Sequence, residues 1–141
     1  MALSISCKSN EEPSGPKAGS NPPEGTYTSR TDRLDGTASS EFASVSVTHN
    51  GSGCTITGKL QSLKFNSTQS KYEYKGVDVT ITVNSWYEGN SYTYSDDFVL
   101  SPSGSANHIN WGYSADGTAY ISLGLFYDDG YSSGCELYYG N

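Results

Sequence analysis

The stretch Val77-Asp-Val-Thr-Ile-Thr-Val83 decides how this chain is read. Its apolar and polar residues alternate without a break. Val77, Val79, Ile81 and Val83 share one side, and Asp78, Thr80 and Thr82 share the other. A period of two marks a strand with one buried face, and β-branched side chains suit a pleated, half-buried surface. Neighbouring segments repeat the pattern more weakly. Ala43, Val45 and Val47 alternate within Phe42 to His49, and Cys54, Ile56, Gly58 and Leu60 follow in the next segment.

Between those two segments, Asn50-Gly51 predicts a tight hairpin of type I′, whose central residues both need positive φ. Further turns are expected at Asp35-Gly36, Asn84-Ser85, Glu88-Gly89-Asn90, Asp116-Gly117 and Asp128-Asp129-Gly130, and a loop from Ser101 to Ala106. Gly76 is expected to be a bulge that shifts the inward parity from Tyr72 and Tyr74 to Val77. The sum is an all-β domain of about eight to ten short antiparallel strands, an up-and-down barrel or a sandwich. The barrel is preferred because closure leaves no unpaired strand edge.

Composition agrees with a sheet. Charged residues make up 16% of the 141, and no window after residue 24 carries an apolar stripe at helical spacing. Aromatic residues reach 13%, including 12 Tyr, so rings are expected to supply much of the core. The net charge is −7, and all eight Lys and Arg lie at or before Lys75. From Gly76 onward there are acids and no bases. Such a surface repels phosphate, which excludes nucleic acid as an expected partner and disfavours an anionic membrane.

Residues 1–24 form a different kind of segment. Leu3-Ser4-Ile5-Ser6-Cys7 precedes a polar run holding Pro13, Pro16, Pro22 and Pro23, too poor in apolar surface to fold alone. This start resembles the end of a bacterial lipoprotein signal peptide. The resemblance implies that Cys7 carries lipid and that residues 1–24 are leader remnant and flexible tether. It also implies that the domain over 25–141 is extracytoplasmic, secreted or anchored to a bacterial outer surface, and meets a membrane only through its anchor. Glu24-Gly25-Thr26-Tyr27 is similar to the first-strand motif of lipocalins, with Tyr in place of Trp, which would imply an apolar ligand.

With Cys7 set aside, Cys54 and Cys135 remain, and both share the parity of an apolar face. They are expected to pair, with two buried free thiols as the alternative. A bridge closing so long a loop would contribute roughly 4 kcal/mol on the chain-entropy model.

The sequence carries no phosphate loop, zinc-ligand spacing or dinucleotide fingerprint. His49 and His108 stand alone and read as strand or loop residues. The acids Asp96, Asp97, Asp128, Asp129 and Glu136 admit a small glycoside hydrolase by residue type, but Asp128-Asp129 reads more simply as a turn former. The same loops admit a calcium ion if they converge; no cofactor is otherwise expected. The richest feature is the aromatic set Trp86, Tyr87, Tyr92, Tyr94, Trp111 and Tyr113, with Asn84, Glu88, Asn90, Asn107 and Asn110 around it. Aromatic faces with a few polar groups describe a ligand site, and sugars stack on such rings. The expectation is a non-enzymatic domain that binds a glycan ahead of an apolar small molecule. The alternatives are that the rings fill the core, or that they contact another surface protein.

Overall fold

A computed structural model describes residues 17–140. The proposed lipid-bearing Cys7 and most of the expected tether lie outside the described residues. Among the described residues nine strands run in sequence: β1 Lys17–Ala18, β2 Gly25–Arg33, β3 Phe42–Asn50, β4 Gly53–Asn66, β5 Lys71–Glu88, β6 Thr93–Ser101, β7 Gly104–Tyr113, β8 Ala119–Tyr127 and β9 Ser132–Tyr139. They belong to one antiparallel sheet, and each strand from β2 to β8 pairs with the next. β9 returns to β2 through Leu137↔Ser29, Tyr138↔Thr28 and Tyr139↔Tyr27, so the pairings close in a ring. Closure gives the first and last strands of the meander a partner each.

The deciding stretch behaves as its alternation requires. Val79, Ile81 and Val83 are buried, Val77 is half-buried, and Asp78 and Thr80 are exposed. β4 and β5 pair without a slip from Cys54↔Val83 to Asn66↔Lys71. Gly76 is therefore not a bulge; it pairs with Gln61 in plain register. Tyr72 and Tyr74 keep the outward parity and are exposed, so no parity shift is needed there. The shift comes later. Val83 and Trp86 are both buried, although they differ in parity, and the register with β6 slips between Val83 and Tyr87. The expected turn at Asn84-Ser85 is this irregularity within a continuous strand.

Two other turns differ from expectation. Asn50 pairs with Gly53, so the hairpin loop is Gly51-Ser52. Gly51 has φ of 82° and Ser52, the second central residue, is not in the positive-φ region, the pattern of a type II′ rather than a type I′ turn. The loop expected over Ser101 to Ala106 shrinks to residues 102–103, because β6 and β7 extend into it.

The core is mainly aliphatic. Ile56, Leu60, Ile81, Ile109, Ile121 and Leu123 are fully buried and are joined by Tyr27, Trp86 and Trp111. Each such aliphatic side chain contributes roughly 1.5–3 kcal/mol by leaving water. Most of the tyrosines do not fill the core, and Tyr72, Tyr74, Tyr92, Tyr113 and Tyr139 are exposed. Buried serines are bonded: Ser133 Oγ donates to Gln61 O (2.7 Å), and Ser29 Oγ accepts from Asp32 N (2.8 Å) where β2 leaves register.

The expected disulfide is absent, and Cys54 and Cys135 are free thiols. The reason is position along the strands. Ser132 of β9 pairs with Leu63 of β4. Extending that register sets Cys135 level with Leu60, about 20 Å of strand away from Cys54. A bridge needs Cα atoms within about 7 Å. Shared parity put both sulfurs on the inner face but at different heights.

Burial pushes the Cys54 thiol up to about 11 and the Cys135 thiol up to about 12, from an ordinary value of 9.0. Their folded-state values exceed the unfolded ones, so the protonated thiols stabilise the fold fully below pH 9. That stability is lost as pH rises through about 9 to 12. Urea unfolding is expected to give a stability that declines above pH 9, with a shallower decline in Cys54→Ala. Reductant at neutral pH is expected to leave the Tm unchanged; a fall in Tm on reduction would contradict the free-thiol assignment.

Candidate ligand clefts on the β6–β7 seam

Residues 17–24, grouped with the tether on composition, lie against the ring instead. Lys17 and Ala18 pair with Glu88 and Tyr87 of β5, and Gly19 N donates to Trp86 O (2.9 Å). The segment then crosses one end of the ring. Ser20 O accepts from Trp111 Nε1 (2.9 Å), and Asn21 Oδ1 accepts from Trp86 Nε1 (2.9 Å). Asn21 Nδ2 donates to Gly51 O (3.1 Å), His49 Nε2 to Pro22 O (2.6 Å), and Tyr27 Oη to Pro23 O (2.7 Å). A buried indole N–H needs an acceptor. This strap supplies one to each tryptophan. Pro22 and Pro23, read as part of a disordered tether from composition, here give carbonyls to partners that only the fold brings near.

The six aromatic candidates therefore divide. Trp86 is 2% exposed and offers no face to a visitor. Trp111 is 6% exposed and presents its edge beside Tyr113, whose ring stands 5.5 Å away in a T-shaped contact. Tyr87 and Tyr94 are cross-strand partners with rings 5.6 Å apart, both half-buried. Tyr92 and Tyr113 are well exposed.

What gathers the accessible rings is a thin seam in the sheet. The ladder between β6 and β7 consists of Thr93↔Trp111 and Tyr94↔Asn110. By contrast, β7 and β8 pair from Gly104↔Tyr127 to Tyr113↔Ala119. Beyond Tyr94, β6 bends where Ser95 Oγ accepts from Asp97 N (3.1 Å), and it follows β5 rather than β7. The seam opens into a cleft of about 460 Å³ that reaches Phe98 and Ile109 and is rimmed by Tyr92, Asp96, Asn107 and His108. On the other side of Tyr92 lies a cleft of about 580 Å³ lined by Glu88, Asn90, Trp111 and Tyr113 among others. Tyr92 belongs to both. Of the polar neighbours named from sequence, Glu88 and Asn90 fall in one cleft and Asn107 and Asn110 in the other. Asn84 does not join them; its Nδ2 donates to Asp97 Oδ1 (3.0 Å).

The sequence reading missed His108 as a cleft residue. Its Nδ1 donates to Asn107 Oδ1 (2.7 Å), and its Nε2 is bonded to Ser122 Oγ (2.9 Å), so the ring is fixed at the rim. The missed signal was Gly124, which pairs with His108 and has no side chain to displace the imidazole lying over it. An isolated glycine within a strand marks such a close approach.

The acids named for catalysis or calcium are spread out. Asp129 caps its own turn by accepting from Tyr131 N (3.0 Å) and lies 3.4 Å from Lys75 Nζ; the bond to Tyr131 leads in holding its carboxyl below the usual range. Asp97 bonds to Asn84 and Ser85. Among the described residues, no group of three or more His, Cys, Asp and Glu is placed to hold a metal ion. Comparison with family models, curated proteins and solved structures gives no match for this chain.

Asn21→Ala removes the acceptor of the Trp86 indole and the bond to Gly51. Leaving a buried donor unpaired costs about 1–3 kcal/mol. Urea unfolding is expected to show a loss in that range, with tryptophan emission shifted to the red as the strap loosens.

Proposed function

We propose that this protein is a non-enzymatic binding domain whose ligand is a glycan held at the β6–β7 seam. One observation carries the reading. Tyr92 projects between two adjacent clefts, 46% exposed, with amides and carboxylates on either side. A pyranose presents an apolar face and a rim of hydroxyls. Tyr92 and Tyr113 offer ring faces and edges for the first, and Asn90, Asn107 and Asn110 offer donors and acceptors for the second. Exposed rings at a concave polar site suit such a ligand better than a wholly apolar one. The reading as a binder rather than a hydrolase is supported by the setting of Gly130-Tyr-Ser-Ser-Gly134, which matches the nucleophile-elbow pattern but leads from a turn into β9 rather than from a strand into a helix. The lipoprotein-like start supports an extracytoplasmic location, with Cys7 as the anchor.

A second reading has its own observation. β4 and β5 carry Phe65 and Tyr72 in a T-shaped pair, 5.2 Å apart and both more than half exposed. An exposed aromatic pair on a hairpin suits contact with another surface protein.

The test is a glycan array probed with the intact protein, followed by calorimetry on any sugar retained. Tyr92→Ala is expected to weaken binding at least tenfold, with stability within about 0.5 kcal/mol because the residue is on the surface. Binding that survives Tyr92→Ala but not Phe65→Ala would move the site to the hairpin. An array that stays blank would remove the glycan reading.

A further inference from the structure

The clefts at Tyr92 do not end at the seam. A third, of about 360 Å³, lies against β8 and β9 and is lined by Ser122, Gly134, Glu136, Thr31, Asp32 and His108. His108 also rims the seam cleft, just as Tyr92 belongs to the first two. The three clefts thus adjoin in series, with Tyr92 as the wall shared by one pair and His108 as the wall shared by the other. We propose that this belt binds an extended, uncharged oligosaccharide chain rather than a single terminal sugar. The inference rests on the glycan reading above and specifies its ligand.

The floor of the third cleft is the first argument. His108, Gly124 and Gly134 are successive cross-strand partners on β7, β8 and β9. The imidazole covers Gly124, while Gly134 is exposed with nothing within 4 Å of where a Cβ would stand. Gly134 is not in the positive-φ region, so neither its backbone nor its neighbours require glycine. Glycine in a strand interior weakens it. What the missing side chain provides at Gly134 is a shallow trough where a ring can lie on the backbone. Outward-facing Ser122 and Glu136, themselves a cross-strand pair, stand beside it with hydrogen-bonding groups.

Extent is the second argument. From β6 to β9 the belt crosses three strand spacings, about 14 Å in all, which is longer than one sugar ring. Charge is the third. Glu88, Asp96, Asp32 and Glu136 line the belt, and among the described residues no Lys or Arg lines any of these three clefts. Two of the bases are engaged elsewhere: Arg30 lies over Tyr138 (3.8 Å) and Lys75 over Tyr131 (4.1 Å). A sulfated or uronic chain would meet like charge along the whole path.

The experiment is calorimetry on the full chain with cello-, malto- and chitooligosaccharides of one to six units, and with heparin as the anionic probe. Within the series that binds, affinity is expected to rise at least tenfold between two and five units, and heparin is expected to be silent. Gly134→Tyr fills the trough and is expected to abolish the gain with length while the shortest bound sugar keeps its affinity. Gly134→Ala, which leaves the trough open, is expected to retain the gain and controls for strand propensity. Equal affinity for short and long chains, or a length dependence untouched by Gly134→Tyr, would overturn the extended-chain inference and leave the Tyr92 site standing. Loss of all binding in Tyr92→Ala together with an intact length series in Gly134→Tyr would confine the ligand to the seam. No binding by any series would overturn the glycan reading itself.

Discussion

The unslipped ladder between β4 and β5 is the constraint on which the rest of this structure depends. From Cys54↔Val83 to Asn66↔Lys71 every residue of one strand faces its partner. A slip of one residue would turn Val79 and Ile81 outward while Ile56 and Leu60 still faced the core. Because β5 is long, its far end also carries β1 on one side and β6 on the other. The ladder thus fixes the inner face, and its overhang positions both the strap and the seam.

The seam cleft lies where that regularity fails. The irregularity at Asn84-Ser85 changes the parity of β5 and sends Trp86 inward, and β6 bends opposite it at Ser95. A bent β6 keeps to β5 and parts from β7, and the opening becomes a cleft. Bulges next to binding sites serve this purpose elsewhere: one extra residue re-aims several side chains. The strap completes the arrangement by satisfying both indoles, which lets two large apolar rings stay inside while smaller phenols stand at the surface.

The aliphatic core and the exposed tyrosines together explain why composition misled in part. Val, Ile and Leu at inward positions are few in the sequence but fall on one face of a closed sheet, where they suffice. The aromatic excess is therefore left for the outer surface. It is divided between cation–π contacts such as Arg33 over Phe42 (3.6 Å) and the accessible rings of the seam and the β4–β5 hairpin.

Local alternation and turn chemistry were enough to read the all-β class, most strand positions and the inward parity of Cys54, Ile56 and Val79, because those properties depend on neighbours one or two residues away. The aromatic and amide residues near the seam were also legible by type. The separation of Cys54 from Cys135, the burial of Trp86, the docking of residues 17–24 and the placing of Tyr92 and His108 on one cleft were not. Each depends on the height at which distant strands pass one another, which is set by the accumulated register around the ring. Parity is a local property of a strand, whereas register between remote strands is settled only when the whole sheet closes.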